Sequence, residues 1–409
     1  MTPKGSPAPR RLLSGILLTI GAVVLAWLCV RSATVRALPT SSAVRAQIAP
    51  NNADTVLEDA TQALITTRGG VVPTATLAAV RRAAQAAPLD ARPYLVTGHQ
   101  QLHDGQLSAG IATLEAAQRL DPRDRLVHLL LLDSYLKAGR YDDVAAQFAV
   151  ATRLVGQARA PIAAALAAMI KMPAMYPAAR RALQADPALE QAVLITLAQS
   201  DSPPAAIFAL ASAAARRDAG VNGGWGPVLI NRLVNEERYA EARSVWRNVY
   251  RLSAAQVAPL VFDGGFRRLT GSPPFNWTLT SASLGAADIR DQTLAVTYYG
   301  RDTGELARQT LMLAPGAYRF AVTVEGAKAS VGPSLAWSLR CAGAKSDLMT
   351  LPATGTESGE GHRIVAAFTV PSDCPAQQLT LTGTAGEFAA PINLVFRDLD
   401  VRPAAGAVR

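Results

Sequence analysis

In GHQQLHDGQL (residues 98–107), two histidines four residues apart, His99 and His103, precede Asp104. On a helix that spacing puts both imidazoles on one face, as a zinc site requires. The metalloprotease form of the motif also needs a glutamate between them, where this chain has Gln100 and Gln101. Glu357 and Glu360 raise a second chemistry, the carboxylate pair that cleaves glycosidic bonds. They lie in the run GTESGEG, which supplies no rigid element to hold their separation. His128 stands where a packing aromatic belongs, and His362 follows the same polar loop as the two glutamates. The chain has no G-x-S-x-G elbow, phosphate-cradling loop or cysteine pair with metal spacing. The expectation is a protein without catalytic residues, cofactor or metal. Trp277, Tyr298, Tyr299 and Trp337 fit binding better, because a flat aromatic face matches the C–H face of a pyranose. Strand tryptophans also fill sandwich cores, so both roles stay open. Consecutive strand residues point to opposite faces, which leaves one of the Tyr298-Tyr299 pair exposed.

Those residues sit in two kinds of text. Before about residue 260 the chain is alanine- and leucine-rich, with an internal period of 34. Pro88 and Pro122 keep that interval with Gly156, and Ala83, Ala117 and Ala151 keep it as well. So do the pairs Tyr94/His128, Gly105/Gly139 and Leu114/Phe148. Each unit reads as two amphipathic helices, the first stopped by a glycine able to adopt the left-handed conformation. His99 aligns with Asp133 and His103 with Lys137, so the second unit repeats no metal ligand. His103-Asp104-Gly105 is therefore a helix end and its turn.

The period and its positions resemble the tetratricopeptide repeat family. Its W-x2-L-G-x2-Y pattern is matched by Tyr94, Thr97, Gly98 and Gln101, and again by His128, Leu131, Leu132 and Tyr135. The small-x3-aromatic pattern is matched by Gly110 with Leu114 and by Val144 with Phe148. NEERYAEARSVW repeats the theme with Tyr239, Ala242 and Trp246, whereas 156–202 fits poorly and is expected to form irregular helices. The resemblance implies an α-solenoid over residues 40–260 whose first helices line a groove for a protein partner. Arg92, Leu95, His99, Leu129 and Asp133 would face that groove.

After about Val261, threonine, valine, phenylalanine and glycine alternate in short runs such as TLAVTYYG, YRFAVTV, SLAWSLRC and INLVFRDLDV. About eight such runs imply an antiparallel sandwich of the jelly-roll kind over 262–402, with a tail at 403–409. Asp263-Gly264-Gly265-Phe266, Trp277, the segment Leu311–Val324, and Asp398 with Asp400 resemble galactose-binding-like carbohydrate-binding modules. Arg267 stands where many members carry a glutamate that helps hold a structural calcium, so no calcium is expected.

Charge and hydropathy set the compartment. Residues 1–39 carry 5 Lys and Arg and no acids; 40–260 carry 22 against 18, and 261–409 carry 13 against 13. The basic excess thus gathers at one end and leaves no phosphate-binding face, which excludes nucleic acid. The 19 uncharged residues Leu12–Val30, flanked by Arg10, Arg11 and Arg31, would span roughly 28 Å. They are expected to form a single transmembrane anchor after a cytoplasmic tail (1–11), with the bulk of the chain periplasmic. A cleaved signal peptide is the rival reading. In that oxidising compartment Cys341 and Cys374 would pair as a disulfide.

The fold class expected is multidomain: a transmembrane helix, an all-α repeat solenoid, then an all-β sandwich. Its role would be a non-catalytic envelope scaffold that docks a protein partner and binds a polysaccharide. A pure protein–protein adaptor and an unrecognised glycan-active enzyme are the alternatives.

Overall fold

The computed structural model describes residues 9–38, 43–48, 52–66, 72–154, 159–327 and 332–404. Two compact units divide the chain, residues 1–182 and 183–409.

The first unit is helical. Its elements are α1 (Pro9–Ala37), α2 (Ala43–Ile48), α3 (Ala53–Thr66), α4 (Thr74–Ala86) and α5 (Arg92–His103). They continue as α6 (Leu107–Leu120), α7 (Arg125–Lys137), α8 (Tyr141–Leu154), α9 (Arg159–Ile170) and α10 (Tyr176–Ala185), whose end crosses into the second unit. The glycines expected to stop α5 and α7 do so: Gly105 and Gly139 lie at φ 77° and 70°, where L residues are strained. Asp124 caps α7 by accepting from the amides of Leu126 and Val127. Gly98 and Gly110 let α5 and α6 approach closely, since a Cβ on Gly110 would fall 2.6 Å from Leu102 and 3.1 Å from the Gly98 carbonyl. Where irregular helices are expected, residues 159–170 and 176–185 form α9 and α10, and Pro177 lies in the first turn of α10, where its missing N–H costs nothing.

Among the described residues no helix is long and apolar enough to cross a membrane. The anchor expected over 12–30 therefore lacks support. Residues 1–8, and the side chains of 9–19, lie outside the described set. The side chains of the apolar run are described from Ile20 to Val30. Ile20, Val23, Leu25 and Trp27 are exposed on it.

The second unit begins with α11 (Pro187–Gln199), α12 (Pro204–Leu210), α13 (Ala213–Arg217), α14 (Trp225–Asn235), α15 (Tyr239–Tyr250) and α16 (Ala254–Val257). Glu190 of α11 is buried, and its carboxylate accepts from Ser212 N at 2.6 Å and Ser212 Oγ at 2.9 Å. Trp246 of α15 donates to the Ser272 carbonyl at 2.9 Å and packs edge-on against Phe262, with ring centroids 4.9 Å apart.

The strands follow as β1 (Thr278–Leu279), β2 (Ser281–Ala282), β3 (Gly285–Arg290), β4 (Thr293–Tyr298), β5 (Gly304–Leu311) and β6 (Gly316–Glu325). Then come β7 (Ser334–Cys341), β8 (Asp347–Pro352), β9 (His362–Val370), β10 (Gln377–Thr384) and β11 (Ile392–Pro403). They form an antiparallel sandwich of two sheets, β1-β5-β10-β7-β8 and β2-β3-β4-β11-β6-β9. Alternate residues of the longer strands fill the space between the sheets around Trp337, which meets Trp277, Phe320 and Phe396 at centroid distances of 6.0, 5.9 and 5.5 Å. Cys341 at the end of β7 is disulfide-bonded to Cys374, with Cα atoms 5.5 Å apart.

Candidate functional site

Three of the four aromatics expected to stack on sugar are core residues. Trp277 and Trp337 are buried, Trp337 completely, and Tyr298 is 0% exposed with its hydroxyl donating to the Asp302 carbonyl at 2.8 Å. None of the three presents a ring face to a ligand; their apolar area closes the sandwich instead. Burial also pushes the Tyr298 hydroxyl above its usual pKa, with Asp302 adding to the shift. Tyr299, the residue that follows the end of β4, is 41% exposed.

The Asp263-Gly264-Gly265-Phe266 segment is a self-bonded loop. The Asp263 carboxylate accepts from Arg267 N at 2.7 Å and Leu269 N at 3.1 Å, and its carbonyl accepts from Trp277 Nε1 at 3.2 Å. Gly264 lies directly on β11, where Leu399 N donates to its carbonyl at 3.0 Å. Among the described residues no group of three or more His, Cys, Asp or Glu is arranged to hold a metal.

Sequence reasoning passed over the outer face of the five-stranded sheet. Ala307 and Leu311 of β5, Leu379 and Leu381 of β10, and Trp337 and Leu339 of β7 belong to the core. Alternation turns the residues between them outward: Arg308, Thr310, Gln378, Thr380, Ser338 and Arg340. Register sets Thr380 between Arg308 and Ser338, and Gln378 between Thr310 and Arg340. Two polar rows therefore cross three strands at a spacing of roughly 4.8 Å. The Glu305 carboxylate accepts from Arg308 and from Arg340, each at 3.2 Å. Because β10 separates β5 from β7, the Arg340–Glu305 pair bridges over β10 beside Thr380. Thr380 is fully buried there, and its Oγ1 has no hydrogen-bond partner. Guanidiniums donate, the carboxylate accepts, and the amide and hydroxyls do both, which suits a ligand rich in hydroxyls. The signal in the sequence was the period-two recurrence of polar residues in RQTLML and QLTLTG.

The groove residues of the first unit divide. Leu95 is 0% exposed and belongs to the helix core, because it faces inward one turn from the Gly98 contact. Arg92 is held by Asp90 at 2.5 Å and Asp54 at 2.7 Å, an internal tie from α5 to α3. His99 is half-buried, and burial, with the nearby His103, lowers its pKa. Leu129 is 62% exposed on α7, one turn from the exposed Asp133, which pairs with Lys137 at 2.6 Å. His128 is buried, with Nδ1 2.6 Å from Gln147 Oε1 and Nε2 3.0 Å from the Pro122 carbonyl. Glu357 and Glu360 are both exposed.

No protein-family profile matches this chain, and no curated protein sequence matches it. Solved structures of carbohydrate-binding modules are similar to about a third of it. One, described as "CBM4 structure and function", is 16% identical and covers 35% of this chain and 99% of its own, with a TM-score of 0.27. TmCBM61 in complex with β-1,4-galactotriose is 15% identical and covers 36% of this chain and 98% of its own, with a TM-score of 0.25. The N-terminal cellulose-binding domain of β-1,4-glucanase C from Cellulomonas fimi is 16% identical and covers 32% and 89%, with a TM-score of 0.24.

Proposed function

We propose that this chain is a non-catalytic glycan-binding protein whose sandwich recognises a polysaccharide on the outer face of the five-stranded sheet. The observation that carries the reading is the polar ladder of Arg308, Gln378, Ser338 and Arg340 held in strand register around Glu305. Sugar hydroxyls both donate and accept, and a rigid sheet holds the complementary groups without an ordering cost at binding.

Two further parts belong to this proposal. The helical pairs of the first unit dock a protein partner, a role supported by exposed Leu129 beside Asp133. The exposed apolar side chains of α1 support association of that helix with a membrane, the rest of the chain lying on the periplasmic side. Together these describe a scaffold of envelope polysaccharide assembly or export. Alkaline extraction of membranes tests the association: the chain stays with the lipid fraction, and its release refutes this part.

Affinity electrophoresis of the full chain through gels carrying different polysaccharides tests the glycan part. Retardation in one gel, lost in Gln378→Ala at unchanged melting temperature, supports it. No retardation in any gel, with a partner protein recovered in a pull-down, would favour a pure protein–protein adaptor.

A further inference from the structure

The outer face of the six-stranded sheet carries a second arrangement, remote in the fold from the ladder. There β11, β6 and β9 lie side by side. A cleft of about 520 Å³ is lined by Arg319, Ala321, Arg363, Asp398, Asp400 and Arg402. Register sets Arg402 directly opposite Arg319, and Asp400 opposite Ala321. Arg363 of β9 stands opposite Thr323. Like charges facing each other across an antiparallel pair, with Cβ atoms about 5 Å apart, destabilise the sheet. One carboxylate partly offsets this: Asp400 is 2.7 Å from Arg402 and 3.1 Å from Arg363. Arg363 also donates to the Asp398 carbonyl at 3.3 Å. The Arg319 side chain has no ion pair or hydrogen bond among the described residues. A β-bulge between Arg397 and Asp400, with Asp398 at φ 49°, re-aims this part of β11. Three guanidiniums thus line a cleft over the small side chain of Ala321 in which Asp400 pairs with two of them.

We propose that this cleft binds the carboxylate of an acidic sugar, a hexuronate residue of a polysaccharide. The inference takes its ligand class from the glycan reading above but uses the opposite sheet. A guanidinium fork matches a planar carboxylate through two parallel charge-assisted bonds, and Arg319 is free to supply them beside Arg402. Asp400 repels any anion, a doubly charged phosphate more than the singly charged carboxylate of a uronate. A uronate brings hydroxyl donors that Asp400 can accept. The cleft volume lies within the range of about 300–1,000 Å³ for small-ligand sites, room for one or two sugar rings.

Isothermal titration of the full chain with tetragalacturonate, neutral galactotetraose and inorganic phosphate tests this. Tetragalacturonate is expected to bind more weakly as salt rises, because an exposed ion pair is screened. Arg319→Ala is expected to weaken it about tenfold or more, the worth of a charge-assisted pair. The melting temperature of that variant stays level or rises, since its repulsion with Arg402 is gone. Arg319→Lys keeps the charge but loses the fork, and falls between the two. The proposal is overturned if Arg319→Ala binds tetragalacturonate as wild type does, or if phosphate binds as tightly. If galactotetraose binds and tetragalacturonate does not, the glycan reading stands and the acidic site falls. If neither binds, the acidic site falls, and the affinity gels decide the glycan reading separately.

Discussion

Replacing Gly264 with alanine tests how the DGGF loop is seated on the sandwich. A Cβ at Gly264 would lie 2.1 Å from the Leu399 carbonyl oxygen, a backbone atom that cannot rotate away. Relieving the overlap to an ordinary contact moves one backbone against the other by about 1 Å. That displacement strains the Leu399 N to Gly264 O hydrogen bond, now 3.0 Å long. Losing that bond costs about 0.5–1.5 kcal/mol, and overpacking adds about 1–3 kcal/mol. The expected loss is about 2–4 kcal/mol, or about 4–16 °C in melting temperature for a unit of this size. Gly265 is the internal control, because its Cβ would meet only the Arg267 side chain, at 3.5 Å. Gly265→Ala should therefore shift the transition by about 2 °C or less. Thermal melts followed by tryptophan fluorescence, with Trp277 packed beside the loop, read both variants. Equal shifts for the two glycines would refute the argument that close backbone approach selects glycine at 264.

Three more outcomes follow from the same geometry. Cys341→Ser with Cys374→Ser removes a link of sequence separation 33 and should cost about 3–4 kcal/mol in denaturant unfolding, with reductant now without effect. Glu190→Ala leaves the Ser212 amide and hydroxyl without their buried acceptor, costing about 1.5–3 kcal/mol, measured by the same unfolding curves. Burial and His103 depress the His99 pKa, so below its ordinary value of 6.5 the unfolded chain binds more protons than the folded one. Stability is therefore complete above about pH 6.5 and declines as pH falls toward the folded pKa; His99→Gln should flatten that decline in melts taken from pH 7.5 to 5.

Much of the architecture could be read from residue order, because it depends on local periods. The 34-residue interval located α5 to α8, and Gly105 and Gly139 marked the ends of α5 and α7 through the one property that only glycine supplies freely. The pairing of Cys341 with Cys374 and the exposure of one member of the Tyr298-Tyr299 pair were also expected, and both are seen. The candidate site was harder, because residue type does not say which sheet face a side chain takes. Tryptophan suits a sugar platform and a core equally, and packing between two sheets decided for the core at Trp277 and Trp337. Leu95 fails as a groove residue for a related reason: it is fully buried. The ladder of Arg308, Gln378 and Arg340 depends on which strands become neighbours, β5 with β10 and β10 with β7. Their separation along the chain hides that adjacency.

Glycan recognition by the sandwich through its five-stranded sheet is the central proposal. Isothermal titration of the full chain with the glycan that retards it, comparing wild type with Gln378→Ala and Arg340→Ala, measures this directly. The account predicts affinity falling about fivefold or more in each variant while the melting temperature holds. Binding equal to wild type in both variants would contradict it.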